Sequence, residues 1–106
     1  MASADDFRRI ALSFPGAEEK AHMNHPDFRV GGRIFATLHG AGKGTAAVML
    51  LPEEQELAMG AEPAAFSPAA GAWGRGGSTI VSLADVSDEW LERVLDWAWA
   101  RRAPKA

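Results

Sequence analysis

Two consecutive glycines, Gly31 and Gly32, most constrain the fold because they separate two short apolar runs in the segment PDFRVGGRIFATL. A two-residue connection of this type suits the positive φ angles of a primed turn, which joins antiparallel strands. In that register Phe28 faces Phe35. Arg33 then shares a face with apolar side chains, unless a bulge at the glycines turns it outward. The pattern predicts a β-hairpin with an arginine beside its turn.

Other segments supply further strand and loop candidates. Residues 18–23 form a weak strand candidate because few of them have high β propensity, and residues 24–27 read as a turn. The nearly continuous apolar run at 45–51 indicates a central strand that is covered on both faces. Residues 61–72, rich in alanine, proline and glycine, are expected to be irregular, and residues 78–83 form a last strand.

Helices are predicted at both ends of the chain and after the central strand. The first begins after Ser3, carries one apolar stripe and ends at Pro15 and Gly16. A short helix starts at Pro52, since proline suits the first helical position. Ser87 caps the last helix, whose C-terminal bases complement the helix dipole. Its buried stripe is Leu91, Val94, Leu95 and Ala98, and its basic end is Arg101, Arg102 and Lys105.

The composition fits one folded domain over residues 1–106. Hydrophobic residues make up 47% and charged residues 24%, which is ordinary for a globular protein. The absence of cysteine excludes disulfides, thiolate metal ligands and a cysteine nucleophile, and it fits a reducing compartment. The chain shows no secretion signal and no apolar stretch near the roughly 20 residues that span a bilayer. We therefore expect a single cytoplasmic domain with no membrane partner.

Charge is unevenly distributed, although the net charge is only −3. Residues 20–50 hold four basic residues and one acidic residue, whereas residues 51–62 hold four acidic residues and no basic one. The overall acidity argues against a strongly basic nucleic-acid binder, but a positive segment can orient a polyanion. An ordinary solvated surface can show the same division.

Motifs for nucleotides, metals and catalysis are weak. The loop around Lys43 resembles a phosphate-binding loop, but Gly44 stands where serine or threonine is needed, and the loop leads into a strand. The possible zinc or nickel ligands match no closed-site spacing. They are His22, His25, Asp27 and His39. No serine or threonine stands in a nucleophile-elbow context. We therefore expect no cofactor, no metal and no enzymatic activity.

The tryptophans raise the question of an exposed surface. In the segment AWGRGGST, Trp73 and Arg75 lie among glycines that permit close approach of a partner, a combination that suits base stacking and phosphate contact. The alternative, which we favour, is that Trp73 plugs the end of the core. Trp90 and Trp97 share one side of the last helix and Trp99 points elsewhere, so at least one should be partly exposed or cover a sheet edge, although core packing is the default. A weak homodimer is the alternative to a monomer.

Five segments, in this order, resemble the MmcQ/YjbR family of small bacterial proteins: ALSFPGAEE, HPDFRVGGRIFATL, LLPEEQELA, FSPAAGAWGRGGSTIVSL and WAWARRAPKA. The resemblance covers nearly the whole chain, although relatives often carry a large aromatic residue where Ser78 stands here. It implies an α+β fold in which an antiparallel sheet packs against helices, a double-wing or CyaY-like topology. It also implies DNA binding, a label that rests on structural similarity to DNA-binding modules. It supplies no catalytic residues.

Two functions stay open. In the first, the hairpin and loops bind DNA weakly and without sequence preference, through Arg29, Arg33, Lys43, Trp73 and Arg75. Four phosphate contacts would give a log–log salt slope of about −3.6 on duplex DNA. In the second, a protein or small molecule binds a tryptophan-lined pocket between the sheet and the last helix. The residues alone slightly favour the second function, and the resemblance brings the first level with it or a little ahead.

Overall fold

A computed structural model describes residues 2–38 and 43–104, so His39, Lys105 and most of the glycine-rich loop lie outside the described residues. The elements, in chain order, are α1 (Ala4–Leu12), β1 (Glu18–His22), β2 (His25–Val30), β3 (Arg33–Thr37), β4 (Thr45–Met49), α2 (Pro52–Ala61), β5 (Phe66–Pro68), α3 (Gly71–Arg75), β6 (Ser78–Ser82) and α4 (Asp88–Arg102). Among these described helices, none combines the length and apolar character needed to cross a bilayer.

The strands form one antiparallel sheet in the order β1-β2-β3-β4-β6-β5. Because successive side chains of a strand point to opposite faces, each strand contributes to two surfaces. One face holds the core, where α1, α2 and α4 pack over Phe28, Val48 and Val81, all fully buried. The other face, called the open face below, has α3 beside its β5–β6 end. The predicted α+β fold, with an antiparallel sheet packed against helices, is confirmed.

The β2–β3 hairpin has the tight turn predicted at the two glycines, whose φ angles are 58° and 80°. Its register differs from the prediction, because a bulge within the ladder pairs Phe28 with Ala36 and not with Phe35. Phe35 and Ala36 are both fully buried, as expected when the extra residue lets two successive side chains reach one face. Arg33 pairs with Val30 and is exposed, so no bulge at the glycines is needed to turn it outward.

The turn predicted at residues 24–27 is wrong in its position. Met23 and Asn24, with φ angles of 50° and 65°, connect β1 and β2, and β2 begins at His25. Asparagine tolerates the left-handed region, so a two-residue turn forms here without glycine. Pro26 stays in the ladder through its carbonyl, which accepts the Leu38 N–H at 2.9 Å.

The segment 61–72, predicted to be irregular, contains an edge strand and the start of a short helix. Phe66 is buried while Ser67 and Pro68 are exposed, and this strand pairs with β6. Proline is tolerated there because an edge strand has one side without ladder hydrogen bonds. Gly71 then begins α3 with a φ of 63°. The strand has only three residues, too few for a recognisable alternation in the sequence.

Both terminal helices begin at the predicted caps. Ser3 Oγ accepts the Asp6 N–H at 3.1 Å, and the Asp6 carboxylate accepts the Ser3 N–H at 2.9 Å, which completes a capping box. The Ser87 hydroxyl accepts the Trp90 N–H at 3.2 Å. All four residues of the predicted stripe on α4 are buried. Local sequence thus determines where these helices start and which side faces the sheet.

The three tryptophans of α4 are half-buried and belong to the helix layer. Trp99 stacks on Phe14 with ring centroids 5.6 Å apart, and its indole N–H donates to Pro15 O at 2.9 Å. Trp90 and Trp97 contact each other edge to face at 5.9 Å. The predicted tryptophan-lined pocket between the sheet and α4 is wrong, because buried core side chains occupy that space.

Candidate functional site

A groove of about 650 Å³ lies on the open face of the sheet. Its floor consists of outward-facing residues of β3, β4 and β6, namely Thr37, Ala47, Met49, Ser78 and Ile80. The groove is deep because two of these floor positions, Ala47 and Ser78, carry small side chains. Ser78 is small, and a large side chain at this position would occupy part of the groove. The prediction that β4 is covered on both faces holds for its core-facing side, whereas on the open face Ala47 is buried and Thr45 and Met49 are partly exposed.

Two large apolar side chains form the walls of the groove and are exposed to solvent. Met23 stands on the β1–β2 turn and is 85% exposed, and Trp73 stands on α3 and is 77% exposed. The prediction that Trp73 plugs the core is therefore wrong. Apolar surface of this size facing one concavity is typical of an interaction site.

The wall that carries Trp73 is anchored to the core by a buried glutamine. The amide nitrogen of Gln55, on α2, lies 3.1 Å from Gly74 O, from Ser78 O and from Thr79 Oγ1. An amide nitrogen has two hydrogens, which are shared among these three acceptors. The network joins α2, α3 and β6. Trp73 is thus presented from a fixed support, although its own side chain is exposed.

A buried carboxylate lies beneath the open face next to the groove. Asp27 on β2 is fully buried and accepts hydrogen bonds from Arg29 Nε at 2.8 Å and from a second Arg29 nitrogen at 3.0 Å. His22 Nδ1 lies 2.7 Å from Asp27 Oδ2, the oxygen that also accepts the second Arg29 hydrogen bond. The hydrogen bonds from Arg29, more than the one from His22, hold the pKa of Asp27 below its ordinary value of 3.8 although burial opposes this. The cluster fixes the His22 ring, which lines the groove.

The five residues predicted to bind nucleic acid do not form one surface. Arg29 is paired with Asp27, so its charge is largely neutralised. Lys43 precedes β4, whose first residue pairs with Ser82, whereas Arg33 begins β3 at the opposite end of the sheet. The strand length separates these two cations, since five residues span about 17 Å. The separation follows from the antiparallel pairing of β3 and β4, which the positions of the two cations along the chain do not show.

The other predicted residues lie toward one end of the sheet. Trp73 and Arg75 are both exposed on α3, and Arg33 is exposed at the start of β3. Arg102, at the end of α4, lines a cleft of about 220 Å³ together with Trp73 and Ser78. The sequence predicts only a role at the helix dipole for Arg102, because spacing along the chain gives no sign that it approaches α3.

Two features of the site were missed although the sequence contains a signal for one of them. Asp27 and Arg29 are two residues apart on a strand and therefore share a face, so their pairing follows from the period of a strand. The exposure of Met23 has no such signal, since it depends on the position of the turn.

The possible metal ligands do not assemble into a site. Within residues 2–38 and 43–104, no three histidine, cysteine, aspartate or glutamate side chains are placed to hold an ion. His22 and Asp27 bind each other, and His39 lies outside the described residues.

The fold and the groove define a small α+β protein with one helix-covered and one open sheet face. The chain belongs to the YjbR family, whose model matches residues 12–101. In structure it is similar to a Deinococcus radiodurans protein with the DUF419 domain, with a TM-score of 0.77 and 21% sequence identity. The alignment covers 93% of this chain and 77% of the Deinococcus protein. No curated protein matches the sequence.

Proposed function

We propose that the protein binds a small, largely apolar or aromatic molecule in the open-face groove and does not transform it. The observation that carries this proposal is the pair of exposed walls, Met23 and Trp73, facing one concavity. The groove volume of about 650 Å³ lies in the range typical of ligand sites, and its mixture of apolar lining with a few polar groups is also typical. Methionine adapts its shape to a ligand, and tryptophan supplies a flat surface for stacking.

A binding role without catalysis fits the polar groups of the groove. The serine on the floor, Ser78, donates to Met49 Sδ at 3.9 Å. The hydrogen bond to Asp27 orients the His22 ring. The partner in this bond is a carboxylate and not a hydroxyl group that the histidine could activate as a nucleophile. The histidines and hydroxyls of the groove would instead give a ligand its hydrogen bonds and orientation.

The expected result of a direct test is binding of N-phenylnaphthylamine, a neutral aromatic probe, with a rise in its fluorescence. Trp73→Ala should weaken this binding at least about tenfold, which corresponds to about 1.4 kcal/mol, because the ligand loses its stacking wall. Leu57→Ala is the matched control, since Leu57 is a 59% exposed apolar residue on α2. Amide shifts in NMR spectra should map to the floor and walls. Equal affinities of the two variants, or shifts on another surface, would contradict the proposal.

A second candidate function is weak nucleic-acid binding. The observation that favours it is an exposed tryptophan and an exposed arginine, Trp73 and Arg75, on one short helix near Arg102. Stacking on the ring and phosphate contacts to the guanidinium groups would act together.

This candidate predicts a smaller salt dependence than the sequence suggested. Arg29 is paired and Lys43 lies at the far end of the sheet, so two of the four predicted contacts remain, from Arg33 and Arg75. Arg102 adds a third. The log–log salt slope on duplex DNA should be about −2.7, measured by fluorescence anisotropy from low salt upward. Arg75→Ala should reduce the slope by about one unit, and Arg9→Ala, on α1, should not. No binding at low salt, or a slope near zero, would remove this candidate.

A further inference from the structure

Three arginines line a concavity of about 380 Å³ at the end of the sheet where β3 begins, separate from the groove and from the cleft beside Trp73. Arg33 comes from β3, and Arg101 and Arg102 come from the last turn of α4. The two elements are held together by close packing, since a Cβ atom added to Gly31 would lie 2.8 Å from Pro104 Cγ. The backbone at Arg33, two residues after Gly31, is therefore held beside the end of α4.

These three arginines are not equally neutralised. Arg101 forms an ion pair with Glu54 at 2.7 Å and also donates to Met49 O. For Arg33 and Arg102, the described part of the chain provides no carboxylate within ion-pair distance. In addition, Arg102 Nε is buried and has no hydrogen-bond partner within residues 2–38 and 43–104.

The helix dipole explains only part of this arrangement. The C-terminus of a helix carries roughly half a negative charge, which favours a cation in the last turn of α4. Arg33 and Arg102 together carry two positive charges, so a positive excess remains in a partly enclosed space. Two unpaired guanidinium groups with ten N–H donors between them match the oxygen atoms of an oxyanion.

This concavity adjoins the groove through Arg102. The cleft that Arg102 lines also includes Trp73, Met49 and Ser78, and these three residues line the groove as well. A molecule whose apolar part rests against Trp73 could therefore extend an anionic group toward Arg102.

We infer that Arg33 and Arg102 form an oxyanion subsite, and that the ligand of the groove carries a phosphate, sulfonate or carboxylate group bound there. The nature of the ligand rests on the proposed function, whereas binding of a free oxyanion at the two arginines does not. Phosphate can come from a small molecule or from a nucleic acid, and the experiments below separate these sources.

The first experiment titrates inorganic phosphate into the labelled protein at constant ionic strength and records the arginine and backbone N–H signals. We expect saturable shifts at Arg33, Arg102 and the hairpin turn. Arg102→Gln should weaken binding about tenfold, as expected for loss of a hydrogen bond between charged groups. Arg33→Gln tests the same subsite at an exposed position, where a substitution is not expected to unfold the protein. Arg9→Gln, on α1, is the control. Shifts that do not saturate, or equal affinity in all three variants, would overturn the subsite.

The second experiment compares two probes that share one aromatic skeleton. Anilinonaphthalene sulfonate is phenylnaphthylamine with an added sulfonate, so we expect it to bind about tenfold more tightly than the neutral probe. Arg102→Gln and Arg33→Gln should remove this difference without changing the affinity of the neutral probe. If the neutral probe does not bind but phosphate does, the groove proposal fails and the subsite stands. If the sulfonate gives no advantage, the link between subsite and groove is wrong.

The source of the anion follows from a third titration with a short DNA duplex. Binding of the sulfonate probe without binding of DNA at low salt assigns the subsite to small molecules. Competition between DNA and inorganic phosphate, lost in Arg33→Gln, would show that nucleic-acid phosphates use the subsite, which contradicts a small-molecule ligand.

Discussion

The Gly77→Ala variant is expected to lose at least about 4 kcal/mol of unfolding free energy, a loss comparable to the whole stability of many small domains. A Cβ atom at this position would lie 1.9 Å from Leu50 O and 2.7 Å from Leu50 C. These are backbone atoms of a neighbouring segment, which connects β4 to α2, and they cannot rotate away as the end of a side chain can. The φ angle of Gly77 is also 112°, where an L-residue is strained.

The position matters for the site because Gly77 joins α3 to β6. The Gly77 carbonyl accepts the Thr79 Oγ1 hydrogen at 2.8 Å, and Thr79 Oγ1 in turn lies 3.1 Å from the amide nitrogen of Gln55. Movement of this segment would therefore disturb the network that supports Trp73. Any Gly77→Ala protein that still folds should also bind the neutral probe less tightly.

The adjacent glycine provides a matched control. A Cβ atom at Gly76 would come no closer than 3.5 Å to any atom outside its chain neighbours, and its φ of −80° is accessible to alanine. Gly76→Ala should change stability by less than about 1 kcal/mol. Urea unfolding followed by far-ultraviolet circular dichroism gives both values. Similar midpoints for the two variants would show that the close approach to Leu50 is not a constraint on folding.

The parts of the fold that were predictable depend on local physical chemistry. Ser3 and Ser87 satisfy backbone N–H groups a few residues away, and glycine at two successive positive φ angles closes the hairpin whatever the rest of the chain does. The stripe on α4 follows from helix period alone. In each case the sequence within one or two turns contains the whole interaction.

The parts that were not predictable depend on contacts between distant segments. The bulge beside Phe28 allows Phe35 and Ala36 to enter one core, and only that core decides between the two registers. Trp73 is exposed because Gln55, 19 residues before Gly74, holds α3 beside β6. A large aromatic residue next to glycines is more often a core side chain, so the sequence favoured the wrong alternative for Trp73.

The candidate site shows the same division. Exposed aromatic and basic residues at Trp73 and Arg75 were recognisable from the segment AWGRGGST. Their neighbour Arg102 lies 27 residues beyond Arg75 in the chain and meets the site only through the packing of α4 on the sheet. The sequence predicts a free cation at Arg29, but its ion pair with Asp27 largely neutralises it, so the surface is less positive than predicted.

The Asp27→Ala variant is expected to lose about 3 kcal/mol of unfolding free energy at neutral pH. The carboxylate is fully buried and accepts hydrogen bonds from both Arg29 and His22, and removal of one partner leaves a guanidinium without its counter-charge. Breaking a buried ion pair typically costs about 3–5 kcal/mol of unfolding free energy. We expect a value at the lower end of this range because the Arg29 side chain is 27% exposed and can recover some hydration. Asp5→Ala, at a carboxylate that is 92% exposed and paired with Arg8, should cost less than about 0.5 kcal/mol.

The pH dependence of that loss separates the charge of Asp27 from the packing of its side chain. The pKa of Asp27 is lowered in the folded protein, chiefly by Arg29, so its contribution to stability is fully present above the unfolded value near 3.8 and is lost as the pH falls toward the folded value. The difference in unfolding free energy between the wild-type protein and Asp27→Ala should therefore shrink as the pH falls from about 4 to about 2. Urea midpoints across this range measure it, with Asp5→Ala as the reference. A difference that stays constant down to about pH 2 would mean that Asp27 stabilises the open face by filling space, and that its ion pair with Arg29 contributes little.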